Sequence, residues 1–267
     1  MVNYSELCVE VQKIARRVGD FIRGEAGQLL PEDIQLKERA SLVTYVDRTA
    51  EALIVDALRN LLPTAGFVTE EGTAAYDNEE LLWLVDPLDG TTNFVHGIYP
   101  CSVSIALAEK EKPVLGVVYE IGLNEMFYAW KGGAAYLNDE EIRVSQTANL
   151  ENSLVGTGFP YYNFVRFDEY INVLKILMMQ THGLRRMGSA AVDLCYVATG
   201  RFDAFFEHAL HSWDVAAGAF IAQQAGARVT DFDGGGNWLF NGEIVVGGEN
   251  IFPDFFKLVN SCMGNSK

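Results

Sequence analysis

The chain has 267 residues, enough for one large domain or two small ones. Hydrophobic residues make up 49% and charged residues 21%, which is ordinary globular usage and excludes global disorder. Against 20 Lys and Arg stand 36 Asp and Glu, and the net charge of −16 repels phosphate backbones, so direct nucleic-acid binding is not expected, while cation attraction is favoured.

The N-terminal stretch mixes Glu6, Glu10, Lys13, Arg16 and Arg17 with its apolar residues, so no secretory signal is expected. No window approaches 18 uninterrupted apolar residues, so no membrane span is expected either, and the expected location is the cytoplasm. Leu7, Val11, Ile14, Val18 and Phe21 recur at steps of three and four and predict an amphipathic helix ending at Gly24 and Gly27. A second helix is predicted after Asp47, which sits where an N-cap would sit. Its face is Leu53, Ile54, Ala57, Leu58 and Leu61, and Pro63 lies just past its end.

From residue 81 the period changes. LLWLVD reads as a strand buried on both faces, and CSVSIALAE, VLGVVYE, MFYAW, AAYLN and IRVS follow with short polar connections. They predict an antiparallel meander of about five strands with the helices packed directly on it. The second half alternates: a strand at 154–157, a helix over about 168–180, a short strand at 185–187, and a helix opened by Ser189. AFFE, a helix over 214–224, RVTD, a triple-glycine turn, EIVVGG and a terminal helix after Asn250 complete it. Strands alternating with helices imply layered α/β packing. Trp83, Trp130, Phe202, Phe205 and Phe206 are read as core. Cys8, Cys101, Cys195 and Cys262 form no C-x-x-C pair, which excludes a zinc ribbon or a redox dithiol and leaves buried reduced thiols.

The densest chemical signal is Asp86-Pro87-Leu88-Asp89-Gly90-Thr91-Thr92-Asn93-Phe94. Two aspartates three apart leave a buried strand, Pro87 fixes the backbone and Gly90 permits a tight turn. A hairpin-closing Asp-Gly turn is the plain alternative. An EF-hand is excluded by spacing, because Gly90 comes four residues after Asp86 and no glutamate closes a twelve-residue loop. Glu70-Glu71 precede this segment; Glu207, His211 and Asp214 follow it much later, Asp214 opening an Ala/Gly-rich helix. Singly, each has an ordinary account as surface, cap or satisfied polar residue. Gathered together they would repel one another unless cations neutralised them or some stayed protonated, and hard divalent cations such as Mg²⁺ take oxygen ligands.

The chain resembles the inositol monophosphatase family, within the lithium-sensitive Mg²⁺-dependent phosphatase superfamily that includes fructose-1,6-bisphosphatase. The resemblance runs from LVTYVD through TEEG and WLVDPLDGTTNFVHG to GSAAVDLCYVATGRFDAFFE and SWDVAAG. It implies a mixed α/β fold, a five-layered αβαβα sandwich spanning residues 1–267 as one domain. A helix-pair and meander half (about 1–148) would join an α/β half (about 149–267), with the site between them. Two to three Mg²⁺ ions per subunit are implied. Glu70, Asp86 and the Leu88 carbonyl would hold the first, and Asp86, Asp89 and Asp214 the second. A weaker third would use Glu70.

Gly90 and Thr91 match the phosphate cradle, and Asp47 matches the residue paired with that threonine. Glu70, Thr91 and Asp47 thus become the catalytic candidates. Asp89, Gly90, Thr91, Ala190, Glu207 and Asp214 would contact the substrate, with Lys37 as a shifted match to a mobile lysine. The implied reaction is hydrolysis of a phosphate monoester by metal-activated water without a phosphoenzyme. Inositol monophosphate is the first substrate to consider; fructose-1,6-bisphosphate, the 2′-phosphate of NADP, histidinol phosphate and 3′-phosphoadenosine 5′-phosphate are alternatives. A homodimer and lithium sensitivity are implied, and some bacterial relatives act with the transcription machinery, which opens a regulatory reading. Ser41, the segment 25–39 and the segment 161–168 depart from the family pattern; the last two are read as loops over the site's mouth.

Overall fold

The computed structural model describes residues 2–38, 41–74, 79–160 and 163–264. Helices α1 (Tyr4–Glu25) and α2 (Tyr45–Leu61) open the chain, separated by a short antiparallel ribbon of β1 (Gln35–Glu38) and β2 (Ser41–Val43) that the hydrophobic pattern did not predict. The stripe of α1 is buried at Leu7, Val11, Ile14 and Val18, but a helix of 3.6 residues per turn brings Ile22 rather than Phe21 into the core. In α2 the N-cap is Thr44, not Asp47. The Thr44 hydroxyl accepts the Val46 N–H, and the Asp47 carboxylate accepts the Thr44 N–H at 2.8 Å, a capping box that leaves Asp47 facing inward. Leu53 lies off the buried face, 40% exposed.

A seven-stranded sheet follows: β3 (Gly66–Thr69), β4 (Leu81–Asp89), β5 (Ser102–Glu109), β6 (Lys112–Glu120), β7 (Glu125–Trp130), β8 (Ala135–Leu137) and β9 (Glu140–Glu141), ordered as numbered. The meander is therefore longer than predicted, and β3 joins its edge in parallel with β4. IRVS is not a strand: β9 ends at Glu141, and the Val144 N–H goes instead to the Ala225 carbonyl. The short helix α3 (Thr91–Val95) stands between β4 and β5.

The second sheet has five strands, β10 (Leu154–Thr157), β11 (Gly183–Arg185), β12 (Ala204–His208), β13 (Ala227–Thr230) and β14 (Glu243–Gly248), in the order β11-β10-β12-β14-β13. Strand β11 ends where the predicted strand 185–187 begins. Helices α4 (Phe167–Gln180), α5 (Ala190–Ala198), α6 (Ser212–Gln224) and α7 (Phe252–Met263) complete the chain.

Strand alternation sorts these elements into layers. Trp83, Val85, Ile105, Leu107, Val117 and Tyr119 of the first sheet face α1 and α2. Leu82, Leu84, Ala106, Ala108, Val118 and Phe127, one residue out of phase, face α5 and α6. The same helix pair meets Phe205, Ile244 and Val246 of the second sheet, whose opposite face (Ala204, Phe206 and Val245) packs on α4 and α7. The result is a five-layered αβαβα sandwich. Trp83, Phe202, Phe205 and Phe206 are buried as predicted, while Trp130 is half-buried and stacks on Tyr136. All four cysteines are free; Cys262 is half-exposed rather than buried.

The middle layer is packed to backbone contact. A Cβ on Gly218 of α6 would lie 2.8 Å from the Ala191 carbonyl oxygen and 2.8 Å from the Leu194 Cβ, both on or beside α5. Gly218→Ala should therefore push the two helices apart and cost about 1–3 kcal/mol of stability, read as a lower urea midpoint at unchanged m-value; an unchanged midpoint would show the layer to be looser than described.

Candidate active site

A bulge at the end of β4 creates the first pair of site residues. Asp86 pairs with Ser104 of β5 and Asp89 with Ser102, so three steps on one strand span two on the other. In a regular strand residues three apart face opposite sides; the extra residue, at the Pro87-Leu88 step where a proline offers no N–H to the ladder, turns both carboxylates toward the same space. The Leu88 N–H donates to Asp86 Oδ1 at 3.0 Å. Gly90 then takes a left-handed φ of +93° and starts α3, presenting the Thr91 hydroxyl 2.8 Å from Asp47 Oδ1 and 3.1 Å from the Leu88 carbonyl.

Parity places the rest. Asp86 shares the face of Leu82 and Leu84, and Glu207 the face of Phe205, so both look into the helical middle layer from opposite sheets. That layer delivers its helix N-termini to the same spot. Ser189, N-cap of α5, donates its hydroxyl to Asp89 Oδ2 at 2.7 Å, and the Ala191 N–H donates to the same oxygen at 2.8 Å. Asp214, in the first turn of α6, accepts the His211 N–H at 2.6 Å. Glu70 leaves β3 with its own N–H bonded to the Val85 carbonyl at 3.2 Å, which sets it beside β4.

These residues line one pocket of about 360 Å³, within the usual size range of small-molecule sites. Glu70, Asp86, Leu88, Asp89, Gly90, Thr91, Ala190, Glu207 and Asp214 all border it; Asp47 stands behind Thr91, buried, rather than on the wall. Lys37 falls on β1, with its side chain outside the described residues, as do residues 39–40 and 161–162 of the two departing segments. Sequence reasoning did not single out Arg186, Asp193 or Gly158, which border the same pocket. Asp193 had a readable signal, a lone charge within the apolar α5. Arg186 stands in the sequence only as half of an isolated basic pair with Arg185, which signals no site by itself. Gly158 gave none: a Cβ there would overlap the Glu207 carboxylate, a constraint visible only in three dimensions.

Crowding governs the electrostatics. Burial first, then Glu70, Asp89 and Asp214, raise the Asp86 carboxyl well above the usual range, and a side-chain hydrogen bond with Glu70 acts in the same direction. Asp214 is likewise raised by burial and by Asp89, against the His211 N–H. Asp89 is pushed up to about 6 by burial, held there by the opposing Ser189 and Ala191 hydrogen bonds and by Arg186. Burial also raises Asp193, with Asp89 adding to it, and Glu207, with Asp193 and Asp89 adding to it, while Arg186 opposes both shifts.

Among the described residues no three acidic, histidine or cysteine side chains are already closed into a finished metal cage. The donor chemistry nevertheless fits a hard divalent cation: carboxylates with the Leu88 carbonyl supply oxygens, and the mutual repulsion of Glu70, Asp86, Asp89 and Asp214 is what a cation's charge would relieve.

The profile of the inositol monophosphatase family matches residues 3–263. The chain belongs to the inositol monophosphatase family. It is 40% identical over 252 residues to the inositol-1-monophosphatase of Rhizobium meliloti, covering 94% of each chain. It is 42% identical over 245 residues to the Nus factor SuhB of Pseudomonas aeruginosa, covering 90% of each. The solved extragenic suppressor protein SuhB of Bartonella henselae superposes with a TM-score of 0.90 at 36% identity, over 95% of this chain and 98% of that one. For the Thermotoga maritima IMPase the TM-score is 0.85 at 34% identity, over 94% and 95%.

Relieving this crowding should stabilise the protein. Asp86→Asn keeps the shape, still accepts the Leu88 N–H and donates to Glu70. In chelator its Tm should exceed the wild-type value by about 2–4 °C, while Mg²⁺ should raise the wild-type Tm and leave the variant's nearly unmoved. A lower Tm for the variant in chelator would contradict the electrostatic account.

Proposed function

We propose that this family member hydrolyses a small phosphate monoester with Mg²⁺, inositol monophosphate in the first place, by attack of an activated water and without a phosphoenzyme. The observation that carries the reading is the gathering of Glu70, Asp86, Asp89 and Asp214 in one pocket, next to a threonine hydroxyl bonded to a buried aspartate. In this reading Glu70, Asp86 and the Leu88 carbonyl hold one ion, Asp86, Asp89 and Asp214 a second, and Glu70 contributes to a weaker third. Bound Mg²⁺ supplies a lowered pKa for water and neutralises charge on the transferring phosphate.

The chain's own groups orient the water and the ester. Asp47 Oδ2 accepts both the N–H and the hydroxyl of Thr44, at 2.8 and 2.7 Å, which fixes its carboxylate and leaves Oδ1 for Thr91. With its hydrogen directed to Asp47, the Thr91 oxygen keeps its lone pairs for a proton of the attacking water, and Glu70 polarises the same water from the other side. Burial raises the Asp47 carboxyl against the Thr44 and Thr91 bonds, which makes it a better terminal proton acceptor than an exposed aspartate. Gly90 and Thr91 cradle the phosphate with backbone N–H groups, and Ala190 and Glu207 meet the alcohol. Glu207 suits polyols generally, so sugar or nucleotide phosphates belong to the same proposal.

Residues 1–267 are taken as one catalytic unit. The homodimer, lithium sensitivity and cytoplasmic location implied by the resemblance belong to the proposal too; among the described residues no helix is long and apolar enough to cross a membrane. A second reading, a regulatory role beside the transcription machinery, is supported by relatives named Nus factor SuhB. Such a role would use a protein partner, since the net charge of −16 opposes direct contact with nucleic acid.

The test is phosphate release from a panel of esters (inositol 1-phosphate, fructose-1,6-bisphosphate, NADP, histidinol phosphate and 3′-phosphoadenosine 5′-phosphate) with and without Mg²⁺ and Li⁺. Mg²⁺-dependent turnover inhibited by Li⁺ is expected, with Asp89→Asn and Asp214→Asn each lowering kcat at least about 100-fold while the fold is kept. Normal turnover in both variants would refute the site assignment. A cellular task still performed by Asp89→Asn would favour the regulatory reading.

A further inference from the structure

Glu51 lies outside the pocket and has no role in the reaction derived above, yet it is fully buried and heavily engaged. Its Oε2 accepts the Glu71 N–H at 2.7 Å, and its Oε1 accepts the Thr73 N–H at 2.9 Å and the Thr73 hydroxyl at 2.7 Å. Burying a carboxylate is unfavourable unless donors replace the water it loses, and here three do. Between the two backbone donors sits Gly72 with a left-handed φ of +70°, which curls residues 71–73 so that the N–H groups of Glu71 and Thr73 face one carboxylate.

The position of this clamp matters more than its strength. Glu51 follows Asp47 by one helical turn, so the two acids share a face of α2 about 6 Å apart along its axis. Asp47 reaches Thr91; Glu51 reaches the residue immediately after Glu70. Glu70 is therefore fixed on both sides, by its own N–H to the Val85 carbonyl of β4 and through Glu71 to α2. One rigid helix face thus sets the spacing between the two groups that would orient the water.

We infer that Glu51 is a positioning residue for Glu70, holding the 70–73 segment so that the Glu70 carboxylate meets the divalent cation in a set orientation. The inference rests on the reading of the pocket as a cation site, and its test does not require turnover. Calorimetric titration of Mn²⁺ and Mg²⁺ into wild type, Glu51→Gln, Glu51→Ala and Thr73→Val measures the effect directly.

Partners that orient a ligand change metal affinity by roughly 10–100-fold, so Glu51→Ala should weaken binding about tenfold or more, with Glu51→Gln and Thr73→Val in the same direction and smaller. The Mg²⁺ concentration giving half-maximal turnover should rise in parallel, while the ester KM at saturating Mg²⁺ stays within about threefold. A role confined to stability would lower Tm and leave cation affinity unmoved. Affinities within about twofold of wild type in Glu51→Ala and Thr73→Val would overturn the inference, as would a wild type that binds no divalent cation. Should Glu51→Ala not fold, Glu51→Gln and Thr73→Val decide the matter. A wild type that binds cations with the expected order among variants but cleaves no ester would sustain the inference and refute the phosphatase reading instead.

Discussion

Everything distinctive in this structure follows from keeping several carboxylates within one half-buried pocket. Close like charges in a medium of intermediate dielectric repel by a few kcal/mol per pair. The fold offsets that repulsion largely with backbone dipoles. The Leu88 N–H serves Asp86, the Ala191 N–H serves Asp89, the His211 N–H serves Asp214, the Thr44 N–H serves Asp47, and the Glu71 and Thr73 N–H groups serve Glu51. Three of these donors lie at or beside the N-termini of α2, α5 and α6, where the aligned peptide dipoles favour negative charge. The offset is incomplete: burial and the neighbouring Glu70, Asp89 and Asp214 still hold the Asp86 carboxyl well above its ordinary range.

The layered architecture is what allows such offsets to converge. Helices α5 and α6 are enclosed between two sheets, and their packing at backbone contact lets both N-termini approach the end of β4. Their first turns are then the nearest source of unpaired N–H groups for any acid presented by either sheet. The outer helix α2 serves from the other side, through Asp47 and Glu51. The pocket is thus assembled from six stretches of chain, none of which holds a site alone.

This explains which features could be read from the sequence. Burial patterns were legible: the helix at 168–180 falls within a residue of where it lies because Tyr170, Val173, Leu174 and Leu177 repeat on one buried face, and the strand at 154–157 coincides with the short, mostly buried run of β10. The carboxylate set was legible through resemblance, whereas local rules alone made each acid a cap or a surface residue. Asp47 shows why. It does belong to a capping box, as local chemistry suggested, but at the third helical position, where one carboxylate oxygen serves the cap and the other reaches Thr91. Features defined by contacts between distant segments were not legible: the β4 bulge that turns Asp86 and Asp89 to one side, the parallel addition of β3, the room for Glu207 at Gly158, and Arg186 on the pocket wall. Each depends on which residues meet, and spacing within one segment carries no record of that.

Relatives named as inositol monophosphatases and as Nus factors stand at nearly the same identity to this chain, 40% and 42%, so overall similarity does not separate the two roles. The pocket supplies a physical criterion to set beside that similarity. A protein used only as a docking partner would gain stability from replacing one of Glu70, Asp86, Asp89 or Asp214 with an amide, since that change removes repulsion while keeping shape and most hydrogen bonds. This chain retains all four, and pairs them with a Thr91–Asp47 hydrogen bond and a Glu51 clamp that a docking surface would not need. That combination is what the phosphatase proposal requires and what a docking role alone leaves unexplained, so replacing the pocket's acids separates the two readings where overall similarity does not.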